Sequence, residues 1–314
     1  MKTYHTYIIH DNPPSALELL VQLISVCNHK SINPEIPIVF VTNNQSLDFF
    51  EGIGFLHLYD QVITDVFDDY PYDRVSPSFW ATPKLWLMSK IKDPFLILDT
   101  DLILNVPIKN FQDNDLTYLH RELQSGYLRP HEVSVSPSWD WNNLLYYFKR
   151  TLPINVSVLH MKNMNFKDYY VKTYLDFVLN NPGNSFFEDD EYIDKTGVQT
   201  FAEQYLLSSL ALKYNMEIDV SFKTNSLSNL IHSYGFYYDR GDFDGYSLDG
   251  MNPFGYHLWS AKKYINQPDH EYYVKSYQDV TQSGQEYLER IGYWNVVKDI
   301  FLKLKSKLPL PVIK

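Results

Sequence analysis

The stretch Phe95-Leu-Ile-Leu-Asp-Thr-Asp-Leu-Ile-Leu104 decides how this chain is read. Four apolar residues in a row, Phe95 to Leu98, form the kind of strand that lies in the middle of a sheet with both faces covered. The run breaks into Asp99-Thr-Asp101 and then resumes as apolar sequence. Ligands of open α/β sheets bind at the carboxyl ends of strands, so two acids at that point mark a candidate site. If extension continues past Leu98, Asp99 and Asp101 project to one side and Thr100 to the other. Two ionised carboxylates converging in a semi-buried crevice are costly without compensation, and a hard divalent cation suits them best. An isolated Asp-x-Asp more often serves a turn and faces water; the setting is what favours a metal site here.

That setting is a series of alternating strands and helices, the pattern of a mostly parallel sheet covered on both sides. Tyr4 to His10 reads as a first strand. Ser15 is placed to cap a helix in which Leu19, Leu20, Leu23, Ile24 and Cys27 repeat at helical spacing. Ile36 to Thr42 reads as a buried strand, a short helix follows from Ser46, and Gln61 to Thr64 is a weaker strand. A helix from about Pro83 to Ile91 delivers the chain to Phe95. Beyond the acids the pattern is less regular: Leu116 to His120 and Ile154 to His160 read as strands, and Phe201 to Tyr214 as an amphipathic helix. The Gly-, Asp- and Tyr-rich segment from Gly235 to Gly255 reads as a long ordered loop able to cover a site. Helical sequence follows Ala261.

The bulk numbers bound the function. A chain of 314 residues with 45% hydrophobic content buries a full core. Its 27 basic and 38 acidic residues leave a formal charge of -11, which disfavours nucleic acid as a partner. Cys27 is the single cysteine, which rules out an intramolecular disulfide and a cysteine-based zinc cluster. The first residues lack the apolar core of a signal peptide, and no apolar run approaches the roughly 18 residues of a membrane span. The expectation is a soluble, cytoplasmic protein.

With these residues in place, the sequence resembles the GT-A glycosyltransferases, in particular the retaining glycogenin-like and lipopolysaccharide galactosyltransferase-like groups with an Asp-x-Asp motif. The resemblance implies an α/β, Rossmann-like, mostly parallel central sheet flanked by helices over residues 1–265. The nucleotide-binding half would end near residue 105, the acceptor half would run from 106 to 265, and residues 266–314 would form a helical extension. It further implies a nucleotide-sugar donor, read as a UDP-sugar, held through its diphosphate by Mn²⁺ or Mg²⁺, and a glycan, lipid-linked or protein acceptor. Asp99 would reach the ribose or sugar and Asp101 the metal.

His257-Leu-Trp-Ser-Ala-Lys-Lys263 looks like the His-x-x-Gly-x-x-Lys motif of the glycogenin-like enzymes. By that likeness His257 is the third metal ligand and Lys263 neutralises the diphosphate, with Lys262 as a substitute. Ser260 stands where the motif has Gly. In Ser78-Phe-Trp-Ala-Thr-Pro-Lys-Leu-Trp86, Lys84 is the candidate donor contact, since a cation in the first turn of a helix is poorly matched to the helix dipole unless an anion joins it. Phe201-Ala-Glu-Gln-Tyr205 resembles the acidic-Gln pair near the anomeric carbon, which makes Glu203 and Gln204 the candidate catalytic residues. Asn155 occupies the place of an Asn that opens the acceptor strand.

The acidic run Glu188-Asp-Asp-Glu191 reads as a solvated loop rather than a second metal site. In the tail, Trp294, Val297, Ile300, Phe301 and Leu304 share a face, with Lys298, Lys303, Lys305 and Lys307 nearby. That face suits docking on the parent domain, or contact with an anionic membrane. Three rival classes remain in view. A haloacid-dehalogenase-like phosphohydrolase places Asp-x-Asp on its first strand, a nucleotidyltransferase carries a Gly-rich basic loop after it, and a non-catalytic sugar-binding protein keeps the cation site alone.

Overall fold

The structure is a computed structural model. It describes residues 1–9, 13–76, 79–104, 107–108, 114–121, 146–147, 150–151, 153–180, 199, 201–216, 218–220, 256–257 and 267–311. In chain order its main elements are β1 (Lys2–Thr6), α1 (Ala16–Ile32), β2 (Ile38–Val41), α2 (Asn44–Gly52), β3 (Gln61–Ile63), α3 (Thr82–Lys90), β4 (Phe95–Leu98) and β5 (Leu102–Ile103). They continue with β6 (Leu116–Arg121), β7 (Ile154–Met161), α4 (Met164–Asn180), a π-helical turn (Phe201–Tyr205), α5 (Leu206–Lys213), β8 (Ile218–Val220) and β9 (Tyr256–His257). The tail supplies α6 (Glu271–Gln278), a second π turn (Asp279–Ser283), α7 (Gly284–Arg290) and α8 (Trp294–Lys305). The α/β class expected from the sequence is what the chain adopts: a mostly parallel sheet with helices packed on it.

The chain divides into two compact units. One comprises Met1–Asp65, Leu98–Asn110 and Asp239–Lys314. Its strands β1, β2 and β3 are parallel, in the order β3-β2-β1, with Tyr4 opposite Val39 and Phe40 opposite Val62. β1 begins two residues before the expected Tyr4 and stops at Thr6, because pairing with β2, begun by the Thr3 amide on Pro37 O at 2.9 Å, sets its limits. Helix α1 starts with a full capping box: Ser15 Oγ accepts from the Glu18 amide at 3.2 Å, and the Ser15 amide donates to Glu18 Oε2 at 2.8 Å. Its interior residues are buried almost all round. Val297, Ile300, Phe301 and Leu304 of α8 are buried, and α8 packs against α1, so the tail's apolar face is covered by its own unit. Gly292, with φ +79, makes the left-handed turn that joins α7 to α8.

The other unit comprises Val66–Ile97 and Phe111–Tyr238. Its strands run in the order β4-β7-β6-β8, with β6 antiparallel to β7 and parallel to β8. All eight residues of β7 are buried. The β6–β7 register slips between Tyr118, which faces Leu159, and His120, which faces Asn155. Such bulges are common beside functional sites because they re-aim side chains. Helix α3 packs on α4. The buried Lys167 of α4 donates to the carbonyls of Met88 at 3.1 Å and Ile91 at 2.8 Å, which satisfies the carboxyl end of α3 with a cation where the helix dipole favours one. No described helix is long and apolar enough to cross a membrane.

Candidate active site

The strand Phe95–Leu98 ends where the sequence puts its end, but the acids that follow are not extended. The Leu102 amide donates to Asp99 O at 3.2 Å, closing a turn over Asp99-Thr-Asp101. Strand alternation therefore does not place the two carboxylates; the turn does. Asp99 is half-buried and Asp101 is only 4% exposed. Directly after the turn, β5 pairs antiparallel with β9, with Leu102 opposite His257 and Ile103 opposite Tyr256. The backbone of His257 thus lies one ladder position from Asp101, within the same unit. Among the described residues no three His, Cys, Asp or Glu side chains already gather into a cation-sized cluster. Lys262 and Lys263, the 235–255 segment and the 188–191 acidic run lie outside the described residues.

Beneath the turn, helix α1 presents buried polar side chains at Gln22, Ser25, Asn28 and His29. Ser25 Oγ donates to Leu102 O. Asn28 bonds both backbone groups of Leu104, its Nδ2 donating to the carbonyl at 2.7 Å and its Oδ1 accepting from the amide at 3.1 Å. Asn33, at the end of the helix, accepts from the Ile108 amide at 2.7 Å. Gln22 donates to Tyr59 OH at 2.9 Å, and that hydroxyl sits 3.1 Å from His5 Nδ1. Burial pushes the His5 imidazole down to about 3; neighbouring His29 adds to the shift and the charge of Asp101 opposes it. His5 therefore stays neutral at physiological pH.

In the second unit, two of the expected site residues meet. Lys84 Nζ lies 2.9 Å from Glu203 Oε1, with the two side chains 9% and 6% exposed. The cation in the first turns of α3 has a buried carboxylate as its partner, and its Nζ also donates to Val156 O at 3.4 Å. Around them runs a polar network. Gln199 Nε2 donates to Glu203 Oε2 at 3.2 Å, Tyr174 OH donates to Gln199 Oε1 at 3.4 Å, and Thr82 Oγ1 is 2.9 Å from Tyr174 OH. Tyr170 OH donates to Glu203 O at 3.1 Å. Burial raises both phenols well above their ordinary range, and the Glu203 charge raises them further, so both remain protonated. Glu203 and Gln204 lie on the π turn, an irregularity that recurs at functional sites. Gln204 is half-buried. Its side-chain carbonyl is buried without a hydrogen-bond partner among the described residues. Asn155 sits at the β6–β7 slip, buried, with its Oδ1 accepting from the Ser157 amide at 2.9 Å.

Sequence reasoning missed Gln199, Tyr170, Tyr174 and Thr82 around Glu203, and Ser25 and Asn28 behind the acidic turn. Gln199 carries a visible signal, four residues before Glu203 and so one helical turn away. The others become visible only once the elements are packed.

Fold and site define an α/β protein with an acidic turn at the carboxyl end of a buried strand and a buried ion pair on a π turn. The chain belongs to a family of unknown function, DUF6734, whose model matches residues 37–246. Solved structures of similar fold include the glycosyltransferase GlyE of Streptococcus pneumoniae TIGR4, at 13% identity and TM-score 0.45, covering 95% of this chain and 64% of that one. This chain thus spans less than two thirds of the length of GlyE. The galactosyltransferase LgtC, in complex with donor and acceptor sugar analogues, is similar at 15% identity and TM-score 0.41, covering 100% of this chain and 98% of that one. A 4-diphosphocytidyl-2C-methyl-D-erythritol synthase from Anaerococcus prevotii is similar at 10% identity and TM-score 0.33, covering 75% of this chain and 96% of that one. These likenesses concern the fold alone.

Proposed function

We propose that the chain is a metal-dependent glycosyltransferase that moves a sugar from a nucleotide-sugar donor, read as a UDP-sugar, to an acceptor hydroxyl with retention of configuration. The observation that carries this reading is the β5–β9 register, which sets His257 opposite Leu102, the residue after the Asp99-Thr-Asp101 turn. Two segments singled out in the sequence are thereby backbone neighbours. The donor set fits a divalent cation. Asp101 is a nearly buried carboxylate and Asp99 a half-buried one, and oxygen donors joined by an imidazole suit Mn²⁺. Asp101 and His257 would hold the ion, with Asp99 beside them reaching the ribose or sugar. When bound, the ion would supply positive charge to the diphosphate leaving group.

The chain's own groups do the rest. Lys263, or Lys262 in its place, neutralises the departing nucleotide diphosphate. On the acceptor side, Glu203 is held in position by Lys84 and Gln199, and Gln204 stands next to it on the π turn. The pairing of Lys84 with Glu203 gives Lys84 a second role besides the donor contact read from the sequence, as an opposite charge beside the buried Glu203 carboxylate.

The test is incubation with Mn²⁺ and a panel of nucleotide sugars, following slow donor hydrolysis and the anomeric configuration of any product by NMR. Donor turnover that Asp101→Ala abolishes, in a variant that still folds, is the expected result. Release of phosphate from phosphomonoesters with no nucleotide-sugar binding would overturn the reading.

A further inference from the structure

We infer that Ser25 and Asn28, buried on α1, are positioning residues that hold the acidic turn and the β5–β9 ladder in register, a role that rests on the glycosyltransferase reading of that site. Segment Leu102–Leu104 has β9 along one edge. Its remaining backbone groups are buried, and buried N–H and C=O groups need partners. No strand among the described residues supplies them. The planar amide of Asn28 instead offers Leu104 one donor and one acceptor, the same pair of bonds that a neighbouring strand would give. Ser25 Oγ donates to Leu102 O, three residues earlier on the helix and two earlier on the segment. Asn28 Nδ2 also reaches Tyr287 OH of α7, so one side chain ties α1, the post-acid segment and the tail together.

The placement has a cost that points to a purpose. Burying a hydroxyl and a primary amide on a helix is unfavourable unless each is fully bonded. An apolar helix face would pack against Leu102 and Leu104 without specifying their backbone positions. Here the bonds act on the residue directly after Asp101 and on the one two further on. They therefore pin the turn closed by Leu102 N–H on Asp99 O, and with it the ladder that brings His257 alongside. Asn33 bonds the Ile108 amide in the same way, but further from the acids, and serves as an internal control.

The experiment titrates Mn²⁺, alone and with UDP, into the full chain and into the Ser25→Ala, Asn28→Ala and Asn33→Ala variants, alongside thermal melts. Loss of partners one shell behind metal ligands lowers affinity by about tenfold or more. Asn28→Ala is expected to weaken Mn²⁺–UDP binding by about that factor and Ser25→Ala by a smaller one. Asn33→Ala is expected to lower the melting temperature and leave the titration where it is. A purely structural role would lower all three melting temperatures and move no titration. A folded Asn28→Ala and Ser25→Ala with wild-type Mn²⁺–UDP affinity overturn the positioning role. If Asn28→Ala does not fold, Asn28→Asp, which keeps the acceptor for the Leu104 amide and loses the donor for its carbonyl, is judged by the same criterion. A wild-type chain that binds neither Mn²⁺ nor UDP overturns the glycosyltransferase reading itself, and this inference with it.

Discussion

The buried pair Lys84–Glu203 lends itself to a double-mutant cycle. At 2.9 Å, and with side chains 9% and 6% exposed, the attraction is of the order of 6 kcal/mol at an effective dielectric constant of about 20. Most of that is offset by taking both charges out of water, so the pair adds little net stability, while removing one member takes an opposite charge at 2.9 Å away from the other. Glu203→Gln takes the carboxylate from an ammonium that also donates to Val156 O at 3.4 Å, and Lys84→Met takes the ammonium from a carboxylate that also accepts from the Gln199 amide at 3.2 Å. Each single change is expected to cost about 3–5 kcal/mol, and Lys84→Met with Glu203→Gln together should return to within about 1 kcal/mol of the wild type. Urea unfolding of the four proteins measures the coupling directly. Additive single effects, with a coupling below about 0.5 kcal/mol, would refute the pair as a coupled charge unit. Donor turnover measured on the same four proteins separates architecture from chemistry. If Glu203 acts on the sugar, the double variant recovers stability but not activity; recovered activity would assign Glu203 to scaffolding alone.

Two further outcomes follow from buried groups outside the pair. His5, His29 and His160 are each held below the ordinary 6.5, at about 3, about 4 and about 4, mainly by burial. The unfolded chain therefore takes up protons first, so stability present above pH 6.5 is lost as pH falls toward 4. At pH 5 the loss is on the order of 2 kcal/mol per histidine. Melts between pH 7.5 and 4.5 should show a steep fall below 6.5 that weakens in His5→Gln; a flat profile would contradict neutral burial. Lys167→Met removes the two charge-assisted bonds that close the carboxyl end of α3 and is expected to cost about 2 kcal/mol by urea unfolding. Hydrogen exchange should accelerate over residues 86–91 before it does elsewhere.

What the sequence made legible is what local chemistry determines. The limits of β4 were readable because a run of four apolar residues is bounded by Asp93-Pro94 before it and Asp99 after it. The start of α1 was readable because Ser15 and Glu18 form a box within four residues. Features set by non-local pairing were not. β1 is displaced toward Lys2 because its register is decided by β2 rather than by its own pattern. The helix expected from Phe201 to Tyr214 begins as a π turn, since apolar periodicity cannot distinguish an extra residue in one turn from a regular helix start. The Asp-x-Asp pair follows β4 directly, but as a turn and not as a continuation of the strand. Side-chain alternation was extrapolated through it, whereas the Leu102 amide folds back on Asp99 and makes a turn.

Helix α1 shows why the support of a site is harder to read than the site itself. The apolar repeat Leu19, Leu20, Leu23, Ile24 and Cys27 marks one buried face and leaves Gln22, Ser25, Asn28 and His29 unassigned. Polar residues between apolar ones ordinarily mean solvent. Here all four are at most 2% exposed, because the helix is covered on both flanks, by the strands and the post-acid segment on one and by α8 on another. Their polarity is matched to backbone and side-chain groups outside the helix: Leu102, Leu104, Ile36 and Tyr59. A buried polar side chain of this kind carries information about its partner's position, not about its own helix. Only the fold reveals which partner that is. The acids are conspicuous because they are charged at a strand end, while the residues that hold their backbone in place pass for an ordinary helix surface until the segment they bond is brought beside them.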